Sequence, residues 1–264
     1  MSLLRIVLPA GAAMLMSACT RLAPAPAEAS PVLPTPSVSA PPPFPAMPSP
    51  PPRTARPDFR VGGDLLARHD RIVAQARAGG HEIAFIGDSI TEGWAGAGKE
   101  AWERTWALRH AINCGIGGDR TQHVLGRLEH GLLDALGAPN NHIRHIVLLI
   151  GTNNSADDSA DHIALGVKAI TDALHERLPE ARVTLMAVFP RGRWPNPLRD
   201  TIASLNTRLA QLAAMHPDYV RLLDINGLYL TPRGEIPREL MPDSLHLSAA
   251  GYQIWSEDLE AAAR

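Results

Sequence analysis

Three short apolar runs, each closing on a glycine, constrain this chain more than any other feature. Residues 83–86 run into Gly87-Asp88-Ser89, residues 111–114 into Gly115, and residues 146–150 into Gly151. Each has the length of a buried strand and is too short for a helix. Between and around them lie stretches of helical period at 64–78, 101–109, 121–136, 160–178 and 198–215. The first of these ends at Gly79-Gly80, where a left-handed cap fits. Two more strands are expected at 183–188 and 219–223, and a closing helix at 249–263. Strands separated by helices do not pair as hairpins. They pair in parallel, giving an α/β fold with a central sheet of about five strands and helices on both faces.

The chain has 264 residues and a net charge of −2, so no basic excess points to nucleic acid. Its 24 prolines crowd between residues 23 and 57. That stretch buries too little apolar surface to fold and is expected to be an extended, disordered linker over 20–57. About 205 residues then remain at 58–264, enough for one domain with a sizeable core. Two cysteines, Cys19 and Cys114, make neither a disulfide framework nor a four-cysteine zinc site. The close pair His142 and His145 lacks carboxylate or thiolate partners at ligand spacing, so no metal is expected.

At the N-terminus, Arg5 precedes an apolar stretch at 6–16, followed by the small residues Ser17 and Ala18. The stretch is too short to span a bilayer and reads as a secretory signal. Met16-Ser17-Ala18-Cys19 also resembles a bacterial lipobox. That resemblance implies lipidation of Cys19 and, because Thr20 and not Asp follows, the outer membrane. The alternative is an ordinary cleaved signal. The lipid anchor is the one membrane contact expected.

Two phosphate-binding look-alikes fail on inspection. Gly93-Trp94-Ala95-Gly96-Ala97-Gly98-Lys99-Glu100 mimics a P-loop, but Glu100 stands where Ser or Thr must hold magnesium. Gly115-Ile116-Gly117 starts a dinucleotide fingerprint, but Arg120 occupies its third glycine position. No cofactor is expected.

Four blocks remain: Gly87-Asp88-Ser89-Ile90, Gly115-Ile116-Gly117-Gly118-Asp119, Gly151-Thr152-Asn153-Asn154 and Asp243-Ser244-Leu245-His246. The first three follow strands, so a doubly wound sheet gathers them at one edge, where open α/β sheets hold their sites. Ester hydrolysis needs a nucleophile, a base, a group that orients the base, and donors for an oxyanion. Ser89, His246 and Asp243 supply the first three. The N–H groups of Ser89 and Gly118 and the Asn153 amide supply the donors. Singly, each has a duller role as cap, turn residue or surface side chain. In order, at strand ends, they point together to a serine esterase.

These residues resemble the GDSL, or SGNH, hydrolase superfamily, named for a catalytic Ser, Gly, Asn and His. The chain is most similar to the branch holding the catalytic subunits of intracellular platelet-activating-factor acetylhydrolase and their bacterial relatives. The supporting stretches are Asn113-Cys114-Gly115-Ile116-Gly117-Gly118-Asp119, Thr121-Gln122-His123-Val124-Leu125, and the run from Phe189 to Arg199. The resemblance implies a flavodoxin-like three-layer α/β/α sandwich, with Ser89, Asp243 and His246 as triad and Gly118 and Asn153 in the oxyanion hole. It also makes a homodimer possible, with no residue pattern locating an interface. The sequence departs from the pattern at Ile90, at Asn154, and in about five extra residues near Gly137–His142. Thr91 breaks the G-x-S-x-G elbow of the α/β-hydrolase fold.

Ile90 and Leu245 flank the nucleophile and base, and the resemblance implies that they crowd the acyl side in favour of acetyl. Trp194 would either stack on a sugar ring of the ester substrate or pack, partly buried, as an ordinary aromatic. The expected activity is hydrolysis of short-acyl esters of carbohydrate or cell-envelope glycan. A lysophospholipase or thioesterase, or a non-catalytic envelope binding protein, are the alternatives.

Overall fold

A computed structural model of the chain describes residues 42–262. The expected signal segment, Cys19 and residues 20–41 of the expected linker lie outside them. Five parallel strands form one sheet: β1 (Ile83–Gly87), β2 (Ala111–Gly115), β3 (His145–Leu149), β4 (Arg182–Met186) and β5 (Val220–Leu223), in the order β2-β1-β3-β4-β5. The helices are α1 (Gly63–Ala78), α2 (Ser89–Glu92), α3 (Lys99–Ala101), α4 (Thr121–Arg127), α5 (Leu133–Leu136), α6 (Ala160–Arg177), α7 (Pro197–Met215) and α8 (Ala249–Ala262). This is the flavodoxin-like α/β sandwich.

The strand order has a functional consequence. The chain leaves β1 for β2 on one side and returns to β3 on the other, which opens a crevice at the carboxyl ends where the direction reverses. Gly87 is in register with both Gly115 and Leu149. The three loops that carry the sequence blocks therefore start at one height.

Alternation along the strands builds two cores. Ala84 and Ile86 face one side with Ile112, Ile146 and Leu148, under α1, α4, α6 and α7. Phe85 faces the other with Val147, Leu149 and Met186, where Trp94, Trp106 and Trp255 pack. Phe85 meets Trp94, Trp106 and Trp255 edge to face at centroid distances of 5.9, 5.2 and 6.5 Å. Burying one ring of this size is worth about 4–6 kcal/mol of transfer free energy.

Three expectations change. The helix expected over 121–136 is kinked, because His130 and Gly131 leave helical geometry and Gly131 adopts φ +93°. The strand expected over 183–188 stops pairing at Met186. The expected boundary at residue 58 also moves, since residues 42–57 belong to the same compact unit as the rest of the described residues. Proline-rich backbone has carbonyls free to accept from other elements, and here they do. Arg208 Nη1 donates to Pro42 O at 2.6 Å, and Thr121 Oγ1 to Thr54 O at 2.8 Å. Thr54 is fully buried and donates to His162 O at 2.5 Å. Gly166 permits this approach, because a Cβ there would lie 2.3 Å from Thr54 O.

Candidate active site

The first block turns sharply out of β1. A Cβ on Gly87 would lie 2.2 Å from Thr91 Oγ1 and 2.3 Å from Leu149 O, so only glycine fits. Asp88 then caps α2, its Oδ1 accepting from the Ile90 N–H at 2.9 Å. Ser89 is the first residue of that helix and is partly exposed.

The fourth block brings the base to it. His246 Nε2 lies 2.9 Å from Ser89 Oγ, and His246 Nδ1 lies 2.7 Å from Asp243 Oδ2. An ionised Asp243 accepts the Nδ1 proton, which leaves Nε2 as acceptor for the serine hydroxyl. The other oxygen of Asp243 accepts from the His246 N–H at 2.7 Å and the Leu245 N–H at 3.0 Å. Partial burial opposes the charge on Asp243, but the His246 ring and these two N–H groups outweigh it, so its carboxyl titrates below the usual range. The turn needs Ser244 at φ +61°, and Gly192 pins it by donating to Ser244 O at 2.8 Å.

The second and third blocks close the other side. The loop after β2 passes the serine so closely that a Cβ on Gly117 would lie 3.8 Å from Ser89 Cβ. Gly118 follows at φ +72° and is exposed. Asn153 Nδ2 donates to Asp119 O at 2.9 Å, which ties the third block to the second and leaves its second N–H available. The N–H groups of Ser89 and Gly118 make no hydrogen bond among the described residues. A carbonyl carbon on Ser89 would thus meet a nucleophile, a base and unpaired donors.

The flanking residues fall differently. Ile90 is 1% exposed and packs in the core with Phe85 and Trp94, because its side chain leaves the helix on the sheet side. It supports the nucleophile from below and does not line an open acyl face. Leu245 is half-buried against the same core. Trp194 is 48% exposed, and the Arg193 guanidinium lies over its ring, 5.7 Å from the centroid. Its loop is held by Arg191 Nη1 to Thr152 O at 3.0 Å and by Asn196 Nδ2 to Trp194 O at 2.8 Å.

Several residues at the site escape a reading by motif. Asn154, beside Asn153, is fully buried and structural: it accepts from the Thr121 N–H at 3.0 Å and donates to Gln122 Oε1 at 3.1 Å. Glu92 Oε2 accepts the Gly117 N–H at 2.6 Å. Asp88 is wholly buried, and burial, with the charge of Asp119, pushes its carboxyl up to about 7 against the pull of the Ile90 N–H and His246. Asp119 forms a buried ion pair with Arg127 at 2.7 Å and a second with Arg60. No spacing rule links Arg60, Asp119 and Arg127; only the fold does.

Comparison with known proteins gives the family and the fold. The sequence model of the GDSL-like lipase/acylhydrolase family matches residues 85–254. Human platelet-activating factor acetylhydrolase IB subunit alpha1 is 38% identical over 197 residues, which cover 74% of this chain and 80% of the relative. Among solved structures, a putative platelet activating factor from Streptococcus pneumonia superposes with TM-score 0.62 at 24% identity, covering 76% of this chain and 94% of that one. An acetyl xylan esterase superposes with TM-score 0.58 at 20% identity, covering 69% and 100%. The chain belongs to the GDSL-like lipase/acylhydrolase family and is a carboxylic ester hydrolase.

Proposed function

We propose that this esterase removes short acyl groups, acetyl above all, from carbohydrate hydroxyls of the cell envelope through an acyl-enzyme on Ser89. One observation carries the reading: the unbroken chain from Ser89 Oγ to His246 Nε2 at 2.9 Å and from His246 Nδ1 to Asp243 at 2.7 Å, beside unpaired N–H groups. Ser89 Oγ attacks the ester carbonyl while His246 takes its proton, and Asp243 stabilises the imidazolium. The oxyanion faces the Ser89 and Gly118 N–H groups and the Asn153 amide. The C–O bond to the alcohol then breaks as His246 returns the proton to the leaving oxygen. Water, deprotonated by His246, hydrolyses the acyl-serine and restores the enzyme.

Preference for acetyl is supported by half-buried Leu245 next to the base and by the acetylhydrolase name of the 38% identical relative. A carbohydrate alcohol is supported by Trp194, whose exposed ring sits on the loop pinned to Ser244. Location in the envelope rests on the signal and on Cys19 as lipid attachment point, and a Cys19→Ser chain is expected to lose metabolic palmitate labelling.

The test is a chain-length series of p-nitrophenyl esters, followed by acetate release from acetylated xylan and peptidoglycan. Rates should fall steeply from acetate to hexanoate. Trp194→Ala should raise KM on the glycan several-fold and leave p-nitrophenyl acetate unchanged. Equal or faster turnover of long chains would replace this reading with a lysophospholipase or thioesterase.

A further inference from the structure

Residues 58–62 form a strap over the loop that follows β2, and they lie outside the stretch matched by the family at 85–254. The Asp58 N–H donates to Gln122 O at 2.9 Å, and the Phe59 ring stacks on His130 with centroids 3.9 Å apart. Gly126 makes room for the strap, because a Cβ there would lie 2.5 Å from Asp58 O. Arg60 is thereby set over Gly117-Gly118-Asp119. Its Nη2 donates to Gly117 O at 3.0 Å and to Asp119 Oδ1. Its Nη1 lies 3.4 Å from where a Gly118 Cβ would be.

The rest of the loop is held as firmly. Asp119 is 1% exposed, and its second carboxylate oxygen is ion-paired with Arg127, 2.7 Å from Nε. Arg127 in turn reaches the ends of two strands, donating to Cys114 O at 2.9 Å and Gly87 O at 3.3 Å. The Gly117 N–H is taken by Glu92, the Asp119 N–H by Ile116 O at 3.2 Å, and Asp119 O by Asn153. Every backbone polar group of Gly117 and Asp119 is occupied, and the Gly118 N–H between them is not.

The Gly117 carbonyl and the Gly118 N–H belong to one planar peptide and point in opposite directions. Fixing the carbonyl therefore aims the N–H. Two consecutive glycines would otherwise leave that plane free to swing. A guanidinium on the carbonyl oxygen also polarises the peptide and strengthens its N–H as a donor.

We propose that Arg60 is a positioning residue that locks the Gly117–Gly118 peptide so that the Gly118 N–H meets the developing oxyanion. This rests on the reading of Ser89 as nucleophile and Gly118 as oxyanion donor. Arg60 acts through the Gly117–Gly118 peptide, whose carbonyl it holds, so its effect is expected on the transition state and not on substrate binding.

The test compares the full chain with Arg60→Ala and Arg60→Lys, on p-nitrophenyl acetate and on phenylboronic acid, which forms a tetrahedral adduct with the serine. Arg60→Ala should lose about 10- to 100-fold in kcat with KM within about twofold. The boronate should weaken by a similar factor. Arg60→Lys should recover part of both, since a shorter ammonium keeps the charge near these oxygens but not the placement of Nη2 that bonds both. A folded Arg60→Ala with wild-type kcat overturns the proposal, as does a rise in KM alone with unchanged boronate affinity. Should Arg60→Ala not fold, Gly126→Leu displaces the strap with Arg60 intact. The same kcat-selective loss is expected there, and wild-type kcat overturns the proposal. Absence of Ser89-dependent turnover in the wild type overturns the underlying reading and this one together. Wild-type turnover that Arg60→Ala leaves untouched overturns this one alone.

Discussion

Asp88 should make the fold lose stability as pH rises from about 4 to about 7, and replacing it by asparagine should remove that loss. Its carboxylate is fully buried; one oxygen caps α2 and the other has no hydrogen-bond partner among the described residues. Burial moves its pKa from 3.8 up to about 7. The folded state thus holds the proton that the unfolded state releases. The sign follows: the contribution is fully present below pH 4, declines above it, and is gone once pH passes 7. A gap of about three units corresponds to about 4 kcal/mol. The Asp88→Asn side chain keeps the cap oxygen for the Ile90 N–H but cannot ionise. Urea unfolding of both proteins from pH 4 to pH 8 is the assay, with m-values checked for constancy. The difference, Asp88→Asn minus wild type, should shift in favour of the variant by several kcal/mol across that range. A difference that does not change with pH would refute the argument, because a buried carboxylate with an ordinary pKa carries no such slope.

Other consequences follow from the same geometry. Gly115→Ala would put a Cβ 2.2 Å from the Glu92 N and 2.6 Å from Thr91 C, both backbone. It should push α2 and Ser89 out of place, cutting kcat by about 100-fold while circular dichroism stays native. The Cys114 thiol is buried and, through desolvation, pushed up to about 12 despite Arg127 and Arg68 nearby; iodoacetamide at pH 8 should label it in urea and not in the native state. Trp255→Ala empties the centre of the aromatic core and should cost about 3–5 kcal/mol in urea unfolding.

The sequence makes the hydrogen-bonded chain of Ser89, His246 and Asp243 legible for a physical reason. Strand ends carry Gly87, Gly115 and Gly151 because backbones crowd there, and the candidate site residues Ser89, Gly118 and Asn153 follow within three positions of them. Asp243 and His246 are three apart, so a single turn joins them, as their 2.7 Å contact shows. Alternating strands and helices likewise dictate the parallel sheet. What pattern misses is contact between distant segments. Arg60 reaches Asp119 across 59 positions, and no periodicity encodes that. Ile90 looks like a rim residue by its neighbour in sequence, but a helix begins at Ser89 and turns the next side chain into the core. The proline-rich stretch at 42–57 looks unable to fold because its composition lacks a core of its own. It borrows one, through Thr54 and Phe44, from helices more than 60 residues away.

The central claim is that Ser89 is the nucleophile, and active-site labelling tests it most directly. The full chain and Ser89→Ala would be treated with a fluorophosphonate probe, the adduct located by peptide mass spectrometry, and p-nitrophenyl acetate turnover measured in parallel. One adduct on Ser89, none in the variant, and a loss of about 10³-fold or more in kcat are expected. A folded wild type that neither labels at Ser89 nor turns over the ester, or a Ser89→Ala variant that keeps its rate, would contradict the account.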